Sequence, residues 1–336
     1  MNIRDLVLQT VSGQIVDPVV RPNPYRIGAD GRPRILPGPG GIVLNHRVGD
    51  RCVGLAGDHI EPGVAIRNDR PAGSDNREGA NLALQTYTCI GNLALVVDGN
   101  GAGERGFVTG KHGGVNHVLI DFALRVLRRL RNGDRIQIYA CGLGLRLLDH
   151  PHVTVMNASV RLLRRWGLRA DGERLAVPVT HYVPSAIMGS GIGRNNAVQG
   201  DCDIQLFDRE VVRRFRLDRL RFGDFVAIAD ADHCFGRAVR SRSVSIGVII
   251  HGDSTVSGHG PGVVTLLTGE ARWLLPRRDP RANLAEILGL RRLPPARQHP
   301  PLVHAEQGIA SSHCACSRPR RNEQRVQARQ HGGGEA

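Results

Sequence analysis

Short apolar runs recur along this chain, and nearly every one is closed by glycine or proline. Gly supplies 42 and Pro 19 of the 336 residues, and neither is tolerated cheaply inside a helix. A chain punctuated this way folds as short strands joined by tight turns. Runs with strand character are Gly41–Leu44, Leu93–Asp98, Phe107–Thr109, Val118–Asp121 and Arg135–Ala140. In the second half they are Arg174–Val183, Cys202–Phe207, Asp224–Asp230, Val244–His251 and Gly262–Leu267. Helical spacing is confined to Phe122–Arg131, Ser159–Trp166, Asp208–Phe215 and Asp279–Leu288. Many strands and few helices predict a mainly β fold with short helices (α+β), in two β-barrel-like domains. Ala170-Asp171-Gly172-Glu173 marks the boundary, giving an N-terminal domain over 1–170 and a C-terminal one over 171–290. Residues 291–336 are rich in Arg, Pro and Gln and lack a core-forming pattern, so a disordered tail is expected there. His313, Cys314 and Cys316 in that tail match no closed metal-site spacing.

The formal charge of +14 has little to say about nucleic acid. Of the 45 basic residues all but one are Arg, a bias spread over the whole chain, and aromatics for stacking make up only 4%. Nucleic acid is therefore a disfavoured partner. No apolar run is long enough for a membrane helix. Asp5 interrupts the N-terminus where a signal peptide would be apolar, and seven scattered cysteines read as reduced thiols. A cytoplasmic protein is expected. Gly189-Ser190-Gly191-Ile192-Gly193 does not sit between a strand and a long helix, so no nucleotide cofactor is expected.

The single lysine, Lys111, lies in Gly110-Lys111-His112-Gly113-Gly114. Where a chain writes Arg for nearly every cation, a lone Lys marks a place needing a compact or deprotonable amine. Asp-His pairs form a second signal. Arg47-Val48-Gly49-Asp50 is followed by Asp58-His59, and Arg221-Phe222-Gly223-Asp224 by Asp232-His233, at the same spacing. A third, partial copy is Arg131-Asn132-Gly133-Asp134. His251-Gly252-Asp253-Ser254 and Gly258-His259-Gly260 add further imidazoles beside glycine turns. Carboxylates next to imidazoles suit divalent metals or general acid–base work. The expected catalytic set is Lys111, His112, Asp232 and His233. The expected metal set is Asp58, His59, His233 and His259. Gly110, Gly113, Gly114, Ser190 and Asp201 are expected to meet substrate. Cys202 lies between two acids and is a dulled thiol, which leaves Cys234 as the better thiol candidate.

Gly110–Gly114, Gly57-Asp58-His59-Ile60-Glu61-Pro62-Gly63, Gly200-Asp201-Cys202-Asp203-Ile204-Gln205-Leu206, Asp230–His233 and His259-Gly260-Pro261-Gly262-Val263 together resemble the family known as domain of unknown function 4438. The resemblance covers about residues 10–290. It implies a two-part β-rich protein whose C-terminal half is similar to a rift-type barrel, and it implies no activity. Gln199-Gly200-Asp201 is also similar to a motif of acetamidase/formamidase-type enzymes, without the Gly-Glu that comes after it there. The functional expectation is a metal-assisted hydrolase or lyase with a divalent ion and a Lys/His/Asp pocket between the domains. Its partner would be a small polar or anionic molecule, and a homo-oligomer is compatible with it. The alternative is a non-catalytic β-barrel module that binds a ligand or RNA.

Overall fold

The turn-punctuated runs pair into sheets in the computed structural model, which describes residues 1–20, 22–69 and 79–292. The N-terminal half contains β1 (Gln9–Ile15), β2 (Arg26–Ile27), β3 (Pro33–Arg34), β4 (Ile42–Val43), β5 (Gly63–Arg67), β6 (Leu93–Val96), β7 (Arg105–His112), β8 (His117–Asp121), β9 (Arg135–Ala140) and β10 (Thr154–Val155). The C-terminal half contains β11 (Arg169–Asp171), β12 (Arg174–Val179), β13 (His181–Pro184), β14 (Cys202–Asp203), β15 (Phe225–Asp232), β16 (Ala238–Ile249), β17 (Gly262–Glu270) and β18 (Leu274–Arg278). Between them lie five short helices: α1 (Gly79–Tyr87), α2 (Leu124–Leu127), α3 (Val160–Arg165), α4 (Arg209–Phe215) and α5 (Leu284–Leu288).

The order β1-β9-β6-β7-β8-β5 returns to β1 through Gln14↔Arg67 and Ile15↔Ile66, so six antiparallel strands close a barrel. Closure leaves those strands no free edge. Strand β7 is buried on both faces from Gly106 to His112, and its Gly110 packs against Ile250 of the second half. In that second half, β10-β17-β16-β15-β13 form one sheet, with β14 also on β17, and β11-β12-β18 form another. The single run expected at Arg174–Val183 serves both sheets. Thr180 breaks it by sending its N–H and Oγ1 to Phe225 O. Before the break β12 pairs with β18, and after it β13 pairs with β15, both in parallel.

The expected helices are present but shorter. α3 and α4 start after the caps Ser159 and Asp208, whose side chains accept from Leu162 N and from Glu210 and Val211 N. α5 begins only after Asn283, which caps Ala285 N, and ends at Gly289 with φ +64°. The apolar face Phe122, Val126, Leu127 and Leu130 is buried, though only one turn of it is regular helix. One contiguous core runs from Ile15 and Ile138 in the first half to Phe225 and Leu266 in the second. The expected tail lies outside the described residues from 293 onward.

Each copy of the repeat makes the same local turn. The N–H of Arg47, Arg131 and Arg221 donates to the carboxylate of Asp50, Asp134 and Asp224 at 2.8, 2.9 and 2.9 Å. The two full copies face each other, with Gly49 N on Phe222 O and Phe222 N on Asp50 O. Their downstream segments differ. β15 begins directly after the second copy, while residues 53–62 after the first are loop.

Candidate metal centre

Four chain segments bring imidazoles and carboxylates together at the seam between the halves. Asp58, His59 and Glu61 lie on the loop entering β5, and His59 holds a left-handed φ of +56°, uncommon for a residue other than glycine. His112 closes β7, opposite His117 at the start of β8. Asp201 and Asp203 flank Cys202, whose side chain turns into the core, so alternation turns both acids the other way. His251 follows β16.

The outer hydrogen bonds fix which nitrogen each imidazole presents. Glu61 Oε1 lies 2.5 Å from His112 Nδ1, and Oε2 lies 3.0 Å from His117 Nδ1 while accepting from Gly40 N. Burial works against its ionised form, yet these donors hold its carboxyl below the usual range. His112 therefore carries its proton on Nδ1 and presents a bare Nε2. Asp58 Oδ1, itself bonded by Ser254 Oγ at 2.6 Å, does the same for His59 Nδ1 at 3.0 Å. His251 Nδ1 donates to Gly252 O at 2.9 Å. The Nε2 atoms of His112 and His251 thus face inward, each backed by an oxygen, as in metal sites whose ligating histidines are oriented from behind, and His59 Nε2 joins them 3.1 Å from His259 Nδ1.

They face two carboxylates. His59, Asp203 and His251 place one ligand atom each within 4.8 Å of one another, and so do His112, Asp201 and His251. An ion about 2.1 Å from each donor would leave the donors roughly 3 to 4 Å apart. Both triplets use His251 Nε2, and an imidazole nitrogen has one lone pair, so they describe one site. Its most telling atoms are His251 Nε2 and Asp201 Oδ2. They stand 2.8 Å apart, buried, and neither makes a well-aligned hydrogen bond. With a neutral imidazole they are two acceptors facing each other, and a cation between them would resolve the repulsion. Otherwise a proton must, and although burial opposes it, Asp201 and Asp203 hold the His251 imidazolium well above the ordinary range. A Cβ added at Gly262 would collide with both of these atoms, so only glycine leaves the space open.

A cavity of about 490 Å³ opens onto this cluster, lined by His59, His112, Asp201, Asp203 and the half-buried His259, whose Nδ1 is 3.0 Å from Asp203 Oδ2. Gly113, Gly114 and Ser190 also line it. The expected residues Gly110, Lys111, Asp232 and His233 do not. Gly110 is packed against Ile250. Asp232 pairs with Arg240 at 2.7 Å. His233 is buried with Nδ1 2.6 Å from Thr265 Oγ1. Lys111, adjacent to His112 on β7, points away from the cavity. Its buried Nζ donates to Asn157 Oδ1 at 2.9 Å and Val198 O at 3.0 Å. Asn157 Nδ2 in turn holds Ala197 O and Thr265 O. The amine thus fastens the segment that delivers Asp201 and Asp203. Burial lowers its pKa to about 8.

Models for the N-terminal and C-terminal parts of the domain of unknown function DUF4438 match residues 25–164 and 165–288. The chain belongs to the DUF4438 family. The crystal structure of TM1086 is similar to it, at 42% identity and a TM-score of 0.79 over 85% of this chain and 97% of that one. No curated protein matches the chain. Against the DUF4438 division, His59 and His112 belong to the N-terminal part, and Asp201, Asp203, His251 and His259 to the C-terminal part. The motif residues that suggested the family and the residues of the cluster are largely the same. Sequence reasoning undervalued His251, Asp203 and Glu61. His251 ends a long apolar strand, Asp203 follows an acid by two residues, and Glu61 closes an Asp-His-Ile-Glu run. Nothing in the local sequence signals that the three converge.

Burial pushes the Cys202 thiol up to about 12, which agrees with a dulled thiol. Cys234 Sγ is 3.1 Å from Thr154 Oγ1. Among the described residues no helix is long and apolar enough to cross a membrane.

Proposed function

We propose that this DUF4438 protein is a metal-assisted hydrolase or lyase acting on a small polar molecule. The ion would be a divalent first-row transition metal held by His59, His112 and His251 with Asp201 and Asp203. Three nitrogens and carboxylate oxygens suit such an ion better than Mg²⁺ or Ca²⁺, which take oxygen. The observation that carries this reading is the buried pair His251 Nε2 and Asp201 Oδ2, 2.8 Å apart without a well-aligned hydrogen bond, in a space that a Cβ at Gly262 would fill.

Bound there, the ion would supply Lewis-acid polarisation of a carbonyl or phosphoryl oxygen. The chain's own residues would do the rest. The loops around the cavity, from Gly113 to Asn116 and from Ser190 to Gly200, enclose the substrate beside the cluster. Glu61, Asp58 and Gly252 O keep the imidazoles in the presenting tautomer. His259, half-exposed at the rim and hydrogen-bonded to Asp203, is placed to carry a proton between the substrate and solvent.

Metal analysis of the purified protein tests the reading. About one divalent transition ion per chain is expected. His251→Ala and Asp203→Asn should abolish it, and Gly262→Ala should fold yet bind no metal. A metal-free protein whose melting temperature does not move on adding Zn²⁺, Mn²⁺ or Fe²⁺ would refute it.

A further inference from the structure

The cavity holds a cation that the metal reading leaves unused. Arg237 lines it and is 4% exposed. Its Nη atoms donate to two backbone carbonyls, Gly191 O at 3.3 Å and Gln199 O at 2.8 Å, and its Nε is buried with no partner. Among the described residues no carboxylate lies within ion-pair distance of it. A buried guanidinium compensated by neutral carbonyls alone is expensive, and chains keep one where an anion completes it. The same wall carries Arg194, exposed, whose carbonyl accepts from Arg237 N, and Arg26 lies across the cavity, 3.7 Å from Asp58. The acids lining the cavity, Asp58, Asp201 and Asp203, all belong to the cluster or its backing. One cavity therefore brings a buried guanidinium together with the metal-ligating cluster.

We infer that the substrate is a small anion, its carboxylate or phosphate seated on Arg237 while its other end reaches the cluster. This rests on the function proposed above for where the molecule reacts, but not for how it is held. A planar guanidinium binds either oxyanion in a forked contact, and about 490 Å³ suits a small metabolite rather than a polymer.

Calorimetric titration of the metal-loaded and the metal-stripped protein with succinate, inorganic phosphate and the neutral analogue succinamide separates the possibilities. Succinate or phosphate should bind, and whichever binds tighter names the oxyanion; succinamide should bind at least tenfold more weakly. Arg237→Met should weaken the anion about tenfold or more while leaving metal content unchanged. If Arg237→Met does not fold, Arg194→Met, altered at an exposed side chain, should still weaken it severalfold. Equal affinity in these variants, equal binding of succinamide, or no binding of either anion in either form overturns the inference. Arg237-dependent binding by a protein that never takes up metal would keep the anion site and remove the metal-assisted reaction.

Discussion

At the scale of single residues, equal sequence signals acquire unequal roles. Asp58-His59 and Asp232-His233 stand at the same distance from matching turns, but only His59 reaches the cluster. His233 is enclosed near Arg237. Burial, and then that guanidinium, lower its pKa to about 4, against an ordinary 6.5. The folded protein thus keeps it neutral where the unfolded chain would protonate it. Its contribution to stability is complete above pH 6.5 and is lost as pH falls toward 4. The loss is about 3 kcal/mol over that window. His233→Gln should flatten this part of the stability profile, measured by urea unfolding at pH 7 and pH 4.5. Parallel profiles for the two proteins would show that His233 does not cause the acid sensitivity. Lys111 is conspicuous in sequence because it is the sole ammonium, and the structure gives it a physical role: a fully buried amine donating to two acceptors, Asn157 Oδ1 and Val198 O. The same rarity would mark a catalytic amine, so composition alone could not separate the two.

At the scale of elements, the sequence was informative wherever an apolar run coincided with one strand. β9 lies over Arg135–Ala140 as expected, and β17 starts at the expected Gly262. Patterning failed where pairing, not hydrophobicity, sets the ends. Ala238–Arg242 of β16 is exposed, and it is strand because β15 lies beside it. β1 is mostly polar on its outer face and is hidden among turn residues. The segment from Ala197 to Asp203 is barely a strand at all, and it carries two of the donors. It is held by Lys111, by Asn157 and by Gly113 N on Asp201 Oδ1 at 2.7 Å. Lys111→Met keeps the length but removes the clamp. Metal affinity should fall 10- to 100-fold, as for other supports behind metal ligands, with every donor intact. An unchanged affinity, read by competition with a chelator, would mean that the segment is held without the amine. Lys111→Arg should be damaging through volume, with or without chemistry at this position.

At the scale of the molecule, the two halves share one core and one ligand cluster, although the family division falls between them. The two halves should therefore unfold in a single transition. An ion bound to the native form alone adds about 2.7 kcal/mol of stability at a free concentration one hundred times its dissociation constant. EDTA should lower the melting temperature of that single transition, and excess Zn²⁺ or Mn²⁺ should restore it, followed by calorimetry. Two separate transitions, with only one responding to metal, would contradict this picture. The barrel half and the overall β-rich character were legible from turns and short apolar runs. The seam was legible only in part: a pocket between the domains and His59 with His259 were expected, while Glu61, Asp203 and His251, brought there from distant segments, were not.

That separation has a consequence for the order of events in the cell. The ribosome releases His59 and His112 first, and Asp201, Asp203 and His251 only after most of the chain has been made. An unfinished chain offers two of the three imidazoles, with Asp58 and Glu61 behind them, and neither of the two carboxylates proposed as ligands. On the function proposed above, loading would belong after translation, with the cavity mouth as the door through which the ion would come.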